Sequence, residues 1–264
     1  MGFAFQTSEQ NRARRPGRVA FACVPVLVFA YLAYVRTRDI STTFWLAGDQ
    51  ILYWRIALGP WRSLPLGGGP TSIGGTTLGP IFCWVLWAIR HCIGPWTHNF
   101  PHAGGIGLSI LQSAADAFLV VAIWRRFHSL LLALAFTLFV ATEPYDMALT
   151  ATIWNPPLAV AFAKLAMAFV LLGGPDGSIW WSVGATTAST LAVQTHSSAL
   201  FFALPVITSI TIRELLAHRW TRALWVPEIL PPRFRKFWPV DLMPQKRRVR
   251  QVRGVWSASK GHRA

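Results

Sequence analysis

The sequence contains few charged residues, and its acidic residues are scarcer still. Only 13% of the 264 residues are charged, ten of them acidic, whereas 53% are hydrophobic. This composition departs from that of soluble domains towards that of membrane proteins. The 14 Trp and 17 Phe residues fit the same class, because aromatic rings collect at bilayer interfaces. We therefore predict an integral membrane protein.

Cysteines and nucleotide-binding motifs are also sparse. Cys23, Cys83 and Cys92 have neither a metal-site spacing nor an even count, so they are expected to be small core residues. The sequence shows no internal repeat. The Gly-rich run 65–75 lacks the preceding strand and the following Lys-Ser/Thr of a phosphate-binding loop. The sequence implies no cofactor. A role for a divalent metal ion is left open, but no motif supports one.

The net charge of +15 is concentrated at the two ends of the chain. From Arg213 onward the sequence contains thirteen Lys and Arg residues but only three acidic residues. Basic residues also precede the first apolar segment, at Arg12, Arg14, Arg15 and Arg18. Membrane topology explains this distribution better than nucleic-acid binding does, because positive charge marks the cytoplasmic side. We expect a cytoplasmic N-terminus over 1–18 and a disordered Pro/Arg-rich tail over 213–264.

Apolar segments predict an all-α fold, a polytopic transmembrane helix bundle over residues 19–212. The windows are 19–35, 77–93, 103–124, 130–141, 157–172, 179–193 and 197–212. Arginines flank the first window on both sides and no small-residue cleavage site follows it, so it reads as a retained anchor.

The number of spans follows from the basic clusters. Seven crossings would leave Arg125-Arg126 and the basic tail outside. Window 77–93 contains Gly79-Pro80 and ends in Arg90-His91, so we expect it to lie along the surface or to re-enter. Six spans then remain. With six spans, the first loop, residues 36–77, is extracytoplasmic, and we expect it to contain interfacial helices. Residues 143–146 and 194–196 are then extracytoplasmic as well.

The first loop contains an isolated carboxylate, Asp49, in the amphipathic stretch 44–54. Trp45, Leu52 and Tyr53 are expected to rest on the membrane interface while Asp49 faces the other way. Partial desolvation would raise the pKa of Asp49 and suit it to act as a general base. The alternative is a solvated acid on a helix surface.

Cationic and glycine residues of the same loop could bind a phosphate-containing ligand. Arg55 and Arg62 could clamp phosphate oxygens, or they could snorkel to lipid headgroups. Bare backbone N–H groups are offered by Gly68, Gly69, Gly74 and Gly75, although this run could equally be a flexible turn.

Polar residues beyond the first loop complete the candidate site. Glu143 and Asp146 could support or replace Asp49, or serve as loop acids. Asn155 lies in the irregular entry Trp154-Asn155-Pro156 to a later span. Gln194 and His196 separate two apolar windows, where His196 could hydrogen-bond a sugar, act as an acid or base, or cap a helix.

Two charges fall inside apolar windows, Asp116 and Lys164. An isolated charge is expensive there, so we predict that they pair with each other or with other polar groups. A structural pair is favoured over a proton path.

The order of these motifs resembles the first extracytoplasmic loop of bacterial protein-mannosyltransferase-like membrane glycosyltransferases of the GT-C type. The resemblance is carried by Asp49-Gln50, the run 65–75, Leu78-Gly79-Pro80, Trp124-Arg125-Arg126-Phe127, Trp154-Asn155-Pro156 and Gln194-Thr195-His196. It covers roughly residues 20–212.

The resemblance implies an inverting hexosyltransferase-like enzyme of the bacterial cytoplasmic membrane. Such enzymes move a sugar from a polyprenyl-phosphate donor to an extracytoplasmic glycan, lipid or protein acceptor, and the first-loop acid, here Asp49, activates the acceptor. Gln50 stands where members often have a second acid. The family also has more spans than six, so we expect a truncated member, inactive if the missing spans are essential. The rival classes are a transporter or channel fragment and a non-catalytic membrane protein.

Overall fold

The computed structural model describes residues 18–46, 48–68, 78–97, 100–150, 152–174 and 177–216. Regular structure within these ranges is helical, which confirms the all-α prediction. The α-helices of the described ranges are α1 Arg18–Thr37, α2 Ile40–Thr43, α3 Asp49–Leu58, α4 Ile81–Ile93, α5 Phe100–Phe127, α6 Leu130–Thr142, α7 Pro144–Thr150, α8 Asn155–Gly173, α9 Ile179–Thr195 and α10 Leu200–Leu216.

Each predicted apolar window coincides with a helix to within about one helical turn at either end. Three helical segments in the described ranges are long and apolar enough to cross a membrane: Pro101–Phe127, Asn155–Gly173 and Ser197–Leu216. Two shorter apolar helices are Cys23–Thr37 and Leu130–Thr142. Helix α4 begins only after Pro80, whose ring fixes the backbone at the helix start, and its 13 residues span about 20 Å.

Helix α5 is the centre of the fold. It packs against α1, α4, α6 and α8, while α9 packs between α8 and α10. One apolar cluster joins α1, α5, α6 and α8 around Leu32 and Val120, and a second joins α8, α9 and α10 around Ile207. Each long helix therefore has apolar contacts with its neighbours in at least one of these clusters.

Helices α3 and α4 pack on the N-terminal part of α5 through a third apolar cluster that includes Trp54 and Leu86. Glycines on α5 permit this close approach. A Cβ on Gly107 would lie 2.4 Å from Ile89, and one on Gly104 would lie 2.8 Å from Ile153. A larger residue at position 107 would press on α4, and one at position 104 would press on Ile153 and on Trp54 of α3, which lies 3.1 Å from that Cβ position.

Hydrogen bonds at the helix ends show which segments lie together. The start of α8 and the end of α9 meet through the Asn155 side chain, which donates to the carbonyl oxygen of Thr195 at 3.0 Å. The other ends of these helices meet α10, where the Arg213 guanidinium donates to the Gly174 carbonyl at 3.0 Å and to Ser182 Oγ at 2.6 Å. Residues 155 and 195 thus lie at the opposite end of the helices from residue 213.

Candidate functional site

Asp49 is the first residue of α3 and its side chain is exposed. The preceding Gly48 has φ +55°, a conformation that side-chain-bearing residues rarely adopt, and this turn sets the direction in which α3 leaves the loop. An acidic residue in the first helical turn is favoured by the helix dipole. The carboxylate is therefore fixed at a helix start and open to solvent.

The face of α3 that carries Gln50, Tyr53, Trp54 and Ala57 is buried, and Asp49 stands at the edge of this face. Tyr53, one turn beyond Asp49, stacks edge-on against Phe82 of α4 with ring centroids 5.0 Å apart. Burial raises the pKa of Tyr53, and the nearby Asp49 charge adds to the effect. The amphipathic pattern had suggested an interfacial Tyr53, whereas the structure places this side chain in the core and leaves Leu52 exposed.

Arg55 and Arg62 both expose their side chains. Arg55 lies in the last turn of α3, and Arg62 lies in the following 3₁₀ turn, Trp61–Ser63. Arg90 of α4, which the sequence reading did not single out, donates to the carbonyl oxygens of Ala57 at 3.3 Å and Leu58 at 2.5 Å. It caps the end of α3 and holds α3 against α4.

The flanks of the glycine-rich run are tied to the end of α9. The Gly68 N–H donates to the Leu78 carbonyl oxygen at 2.7 Å, and the Gly79 N–H donates to the Gln194 carbonyl oxygen at 2.8 Å. A Cβ on Gly68 would lie 2.4 Å from the Gly79 carbonyl oxygen, so a side chain there would disturb this contact. Three further candidates, Gly69, Gly74 and Gly75, lie outside the described residues.

His196 forms the junction between α9 and the 3₁₀ turn Ser197–Ala199. Its Nδ1 accepts from the Ser198 N–H at 3.3 Å and lies 2.6 Å from Ser198 Oγ. A backbone N–H can only donate, so Nδ1 is unprotonated and Nε2 carries the proton in the neutral ring. Burial lowers the pKa of His196, which favours this neutral form.

The structure brings four predicted residues to one end of the helix bundle: Gly68, Asn155, Gln194 and His196. The first loop reaches the same end, because Trp45, four residues before Asp49, forms a parallel β-bridge with Thr152, three residues before Asn155. The segment before Asp49 and the start of α8 are therefore joined through a main-chain contact.

The two acids proposed as secondary candidates have other partners. The Glu143 carboxylate accepts from the Asp146 main-chain N–H and so caps α7. The Asp146 side chain is buried, where it accepts hydrogen bonds from Arg36 and Gln112.

The predicted pairing of Asp116 with Lys164 is confirmed, with Lys164 Nζ 2.8 Å from Asp116 Oδ1. The pair belongs to a larger group. Arg36 lies 2.6 Å from Asp116 Oδ2 and also contacts Asp146, which is 3.2 Å from Lys164. We call these four residues the ion-pair cluster. Asp116 is within ion-pair distance of both cations, although neither contact has the alignment of a hydrogen bond.

Sequence reasoning missed the neutral residues that support the ion-pair cluster. Gln112 donates to Asp146, and Ser113 Oγ accepts from Arg36 at 3.0 Å. Positions 112 and 116 are one turn apart on α5, and position 113 is three residues from 116, so all three share a helix face. That spacing of polar residues inside an apolar window was the available signal.

No group of three His, Cys, Asp or Glu side chains suited to a metal ion occurs in the part of the chain that the structure describes.

No protein-family model matches the chain, and no curated protein or solved structure matches it either.

Proposed function

We propose that the chain is a polytopic GT-C type membrane glycosyltransferase that moves a sugar from a polyprenyl-phosphate donor to an extracytoplasmic acceptor. The observation that carries the proposal is the hydrogen bond from the Gly79 N–H to the Gln194 carbonyl oxygen, 2.8 Å long. It joins the segment just before α4 to the segment that contains His196, and α4 packs against α3, whose first residue is Asp49. A site for a lipid-linked sugar needs polar groups gathered at one end of a membrane-embedded bundle, and these contacts support such a gathering.

The proposed topology has six spans, α1, α5, α6, α8, α9 and α10, with α3 and α4 lying at the interface. Alternating crossings from a cytoplasmic N-terminus put Arg125, Arg126 and Arg213 inside, in keeping with the positive-inside rule. The site end of the bundle is then extracytoplasmic in a bacterial cytoplasmic membrane. Exposed aromatic residues on this side, Trp45, Trp61 and Trp96, suit an interfacial location.

The proposed chemistry is a single displacement at the anomeric carbon. Asp49 takes the proton from the acceptor hydroxyl, whose oxygen forms the new bond to the anomeric carbon with inversion. The bond between that carbon and the phosphate oxygen breaks, and its electron pair leaves with the polyprenyl phosphate. Arg55 or Arg62 steadies the departing phosphate. His196, protonated on Nε2, donates a hydrogen bond that orients the sugar.

The test is transfer of a radiolabelled sugar from polyprenyl phosphate in proteoliposomes containing the full chain. Asp49→Asn should lower turnover by roughly 10²-fold or more, the usual contribution of a general base. Asp39→Asn is the matched control, because Asp39 is an exposed acid of the same loop, paired with the exposed Arg38 at 3.0 Å. Undiminished turnover in Asp49→Asn would remove this residue from the chemistry.

A transporter or channel fragment is the second candidate, and the ion-pair cluster is the observation that favours it. Ionisable groups between helices often line the path of an ion or proton. Ion flux into liposomes that Asp116→Asn abolishes would support transport over transfer. Binding of polyprenyl phosphate without turnover or flux would instead favour a non-catalytic membrane protein.

A further inference from the structure

The ion-pair cluster connects four helices at a depth well inside the bundle. Arg36 is on α1, Asp116 on α5, Asp146 on α7 and Lys164 on α8. Asp116 lies twelve residues beyond Gly104, which is about 18 Å along the helix at 1.5 Å per residue. Two cations and two anions leave the group neutral. Buried charges persist only when they are paired in this way.

Helix α7 depends on the ion-pair cluster more than the other three helices do. It has only seven residues, and a helix so short has little stability of its own in isolation. Its start is fixed by Pro144 and by the Glu143 cap. Asp146 anchors its inner face, with contacts to Arg36, Gln112 and Lys164. Removing this carboxylate would release α7, whereas α5 and α8 would still be held by their apolar contacts.

The chain that leaves α7 runs directly to the first loop. Thr152, six residues after Asp146, forms the parallel bridge with Trp45. The next residue, Ile153, is fully buried in the cluster that contains Trp54 of α3. The segment that supports α3 and Asp49 therefore begins two residues after the end of α7.

We propose that Asp146 is a positioning residue, which holds α7 at a fixed depth and thereby holds the first loop through the Trp45–Thr152 bridge. In this role Asp146 acts on the reaction through the loop rather than as a second catalytic acid. The catalytic part of the inference rests on the proposed transferase function, whereas the structural part does not.

The test uses Trp45→Cys with Thr152→Cys in a chain whose exposed Cys23 and Cys92 are replaced by Ala. Bridged residues on neighbouring strands are close enough for a disulfide, so mild oxidation in membranes should cross-link the pair. Asp146→Asn should slow cross-linking by roughly tenfold or more, because it removes the carboxylate that ties α7 to Arg36 and Lys164. Asp116→Asn removes the same charge from the same cluster but from α5, which its apolar contacts still hold in place, so cross-linking should stay within about twofold.

A double variant, Asp146→Asn with Lys164→Gln, restores neutrality and keeps the proposal testable if Asp146→Asn alone fails to fold. It should recover expression but still cross-link slowly, whereas Asp146→Glu should recover cross-linking. Equal cross-linking rates in Asp146→Asn and Asp116→Asn, whether both normal or both slow, would overturn the positioning role. Full recovery of cross-linking in the double variant would also overturn it.

In the transfer assay Asp146→Asn should lower kcat with little change in KM for the donor. If the unaltered chain shows no turnover, only the proposed transferase function fails. The cross-linking rates still test whether Asp146 positions the first loop.

Discussion

Gly79 lies against Gln194 so closely that neither residue leaves room for a larger neighbour. The Gly79 N–H donates to the Gln194 carbonyl oxygen at 2.8 Å, and a Cβ on Gly79 would lie 2.7 Å from Gln194 Cβ. This contact fastens the loop before α4 to the last turn of α9. The arrangement of the candidate site therefore depends on a residue without a side chain at position 79.

Gly79→Ala should separate the loop from α9. We expect a loss of about 1–3 kcal/mol in the free energy of unfolding, the usual cost of overpacking, together with reduced transfer activity. The measurement is thermal unfolding in detergent. Gln194→Gly removes the atoms that the new methyl group would meet, so Gly79→Ala with Gln194→Gly should be more stable than the sum of the two single changes. Strict additivity would contradict the described contact.

At position 155, replacing Asn by Asp should destabilise the fold more than replacing it by Ala. Asn155→Ala removes the donor to the Thr195 carbonyl oxygen and should cost about 1–3 kcal/mol of stability. Asn155→Asp places a carboxylate against that carbonyl in a buried position, so it should cost more. Denaturant unfolding of both variants tests the order. Equal stability of the two variants would show that this side chain is not buried against α9.

Stability should fall as the pH drops below about 6.5, because burial lowers the pKa of His196 from its ordinary value of 6.5. In that range the unfolded chain binds a proton that the folded chain does not, so stability rises with pH until the unfolded histidine is neutral. Thermal unfolding between pH 5 and 8 measures this slope. His196→Asn keeps a helix-capping side chain and should flatten the slope. If the pH dependence of stability is unchanged in His196→Asn, it arises from another titrating group.

Cys83 should react with maleimide far more slowly than Cys92. Both lie on α4, but Cys83 is fully buried and burial raises its pKa from 9.0 to about 11, whereas Cys92 is exposed. The thiolate is the reactive form, so the pKa shift alone lowers the rate by about 100-fold. Mass spectrometry of the labelled chain gives the two rates. Labelling after SDS denaturation is the control, and there the rates should converge.

Residues at the site end of the bundle should be labelled from one side of the membrane. Single cysteines replacing Asp49 and Ser198, both exposed, should react with an impermeant reagent from outside intact cells. A cysteine replacing Arg126 should react only after the membrane is opened, because α5 runs away from that end. Labelling of positions 49 and 198 from opposite sides would rule out a shared site.

The sequence predicts the helical class and the pairing of Asp116 with Lys164, because apolar windows and isolated charges impose strong constraints. It does not predict that Arg36 joins them. Arg36 stands at the edge of an apolar window, where an arginine is normally solvated, and only the packing of α1 on α5 turns it inward. Asp146 was missed as a buried ion for the same reason, since the inward position of α7 follows from tertiary contacts.

The candidate site shows the same division between local and tertiary information. Residues 155, 194 and 196 were selected because polar groups interrupt apolar windows, and the structure brings them together. The surroundings of Asp49 were less predictable. Partial desolvation was expected, yet the Asp49 side chain is exposed in the described structure, because Asp49 starts α3 at the edge of the buried face, whereas Tyr53, one turn further on, contacts Phe82 of α4.

The balance of charge in the ion-pair cluster has an electrical consequence. Arg36 and Lys164 cancel Asp116 and Asp146, so a voltage applied along the helix axes does no net work on the four groups moving as one body. The ion-pair cluster itself therefore does not couple the bundle to membrane polarisation. Neutralising any single member would leave the cluster with a net charge on which the voltage acts.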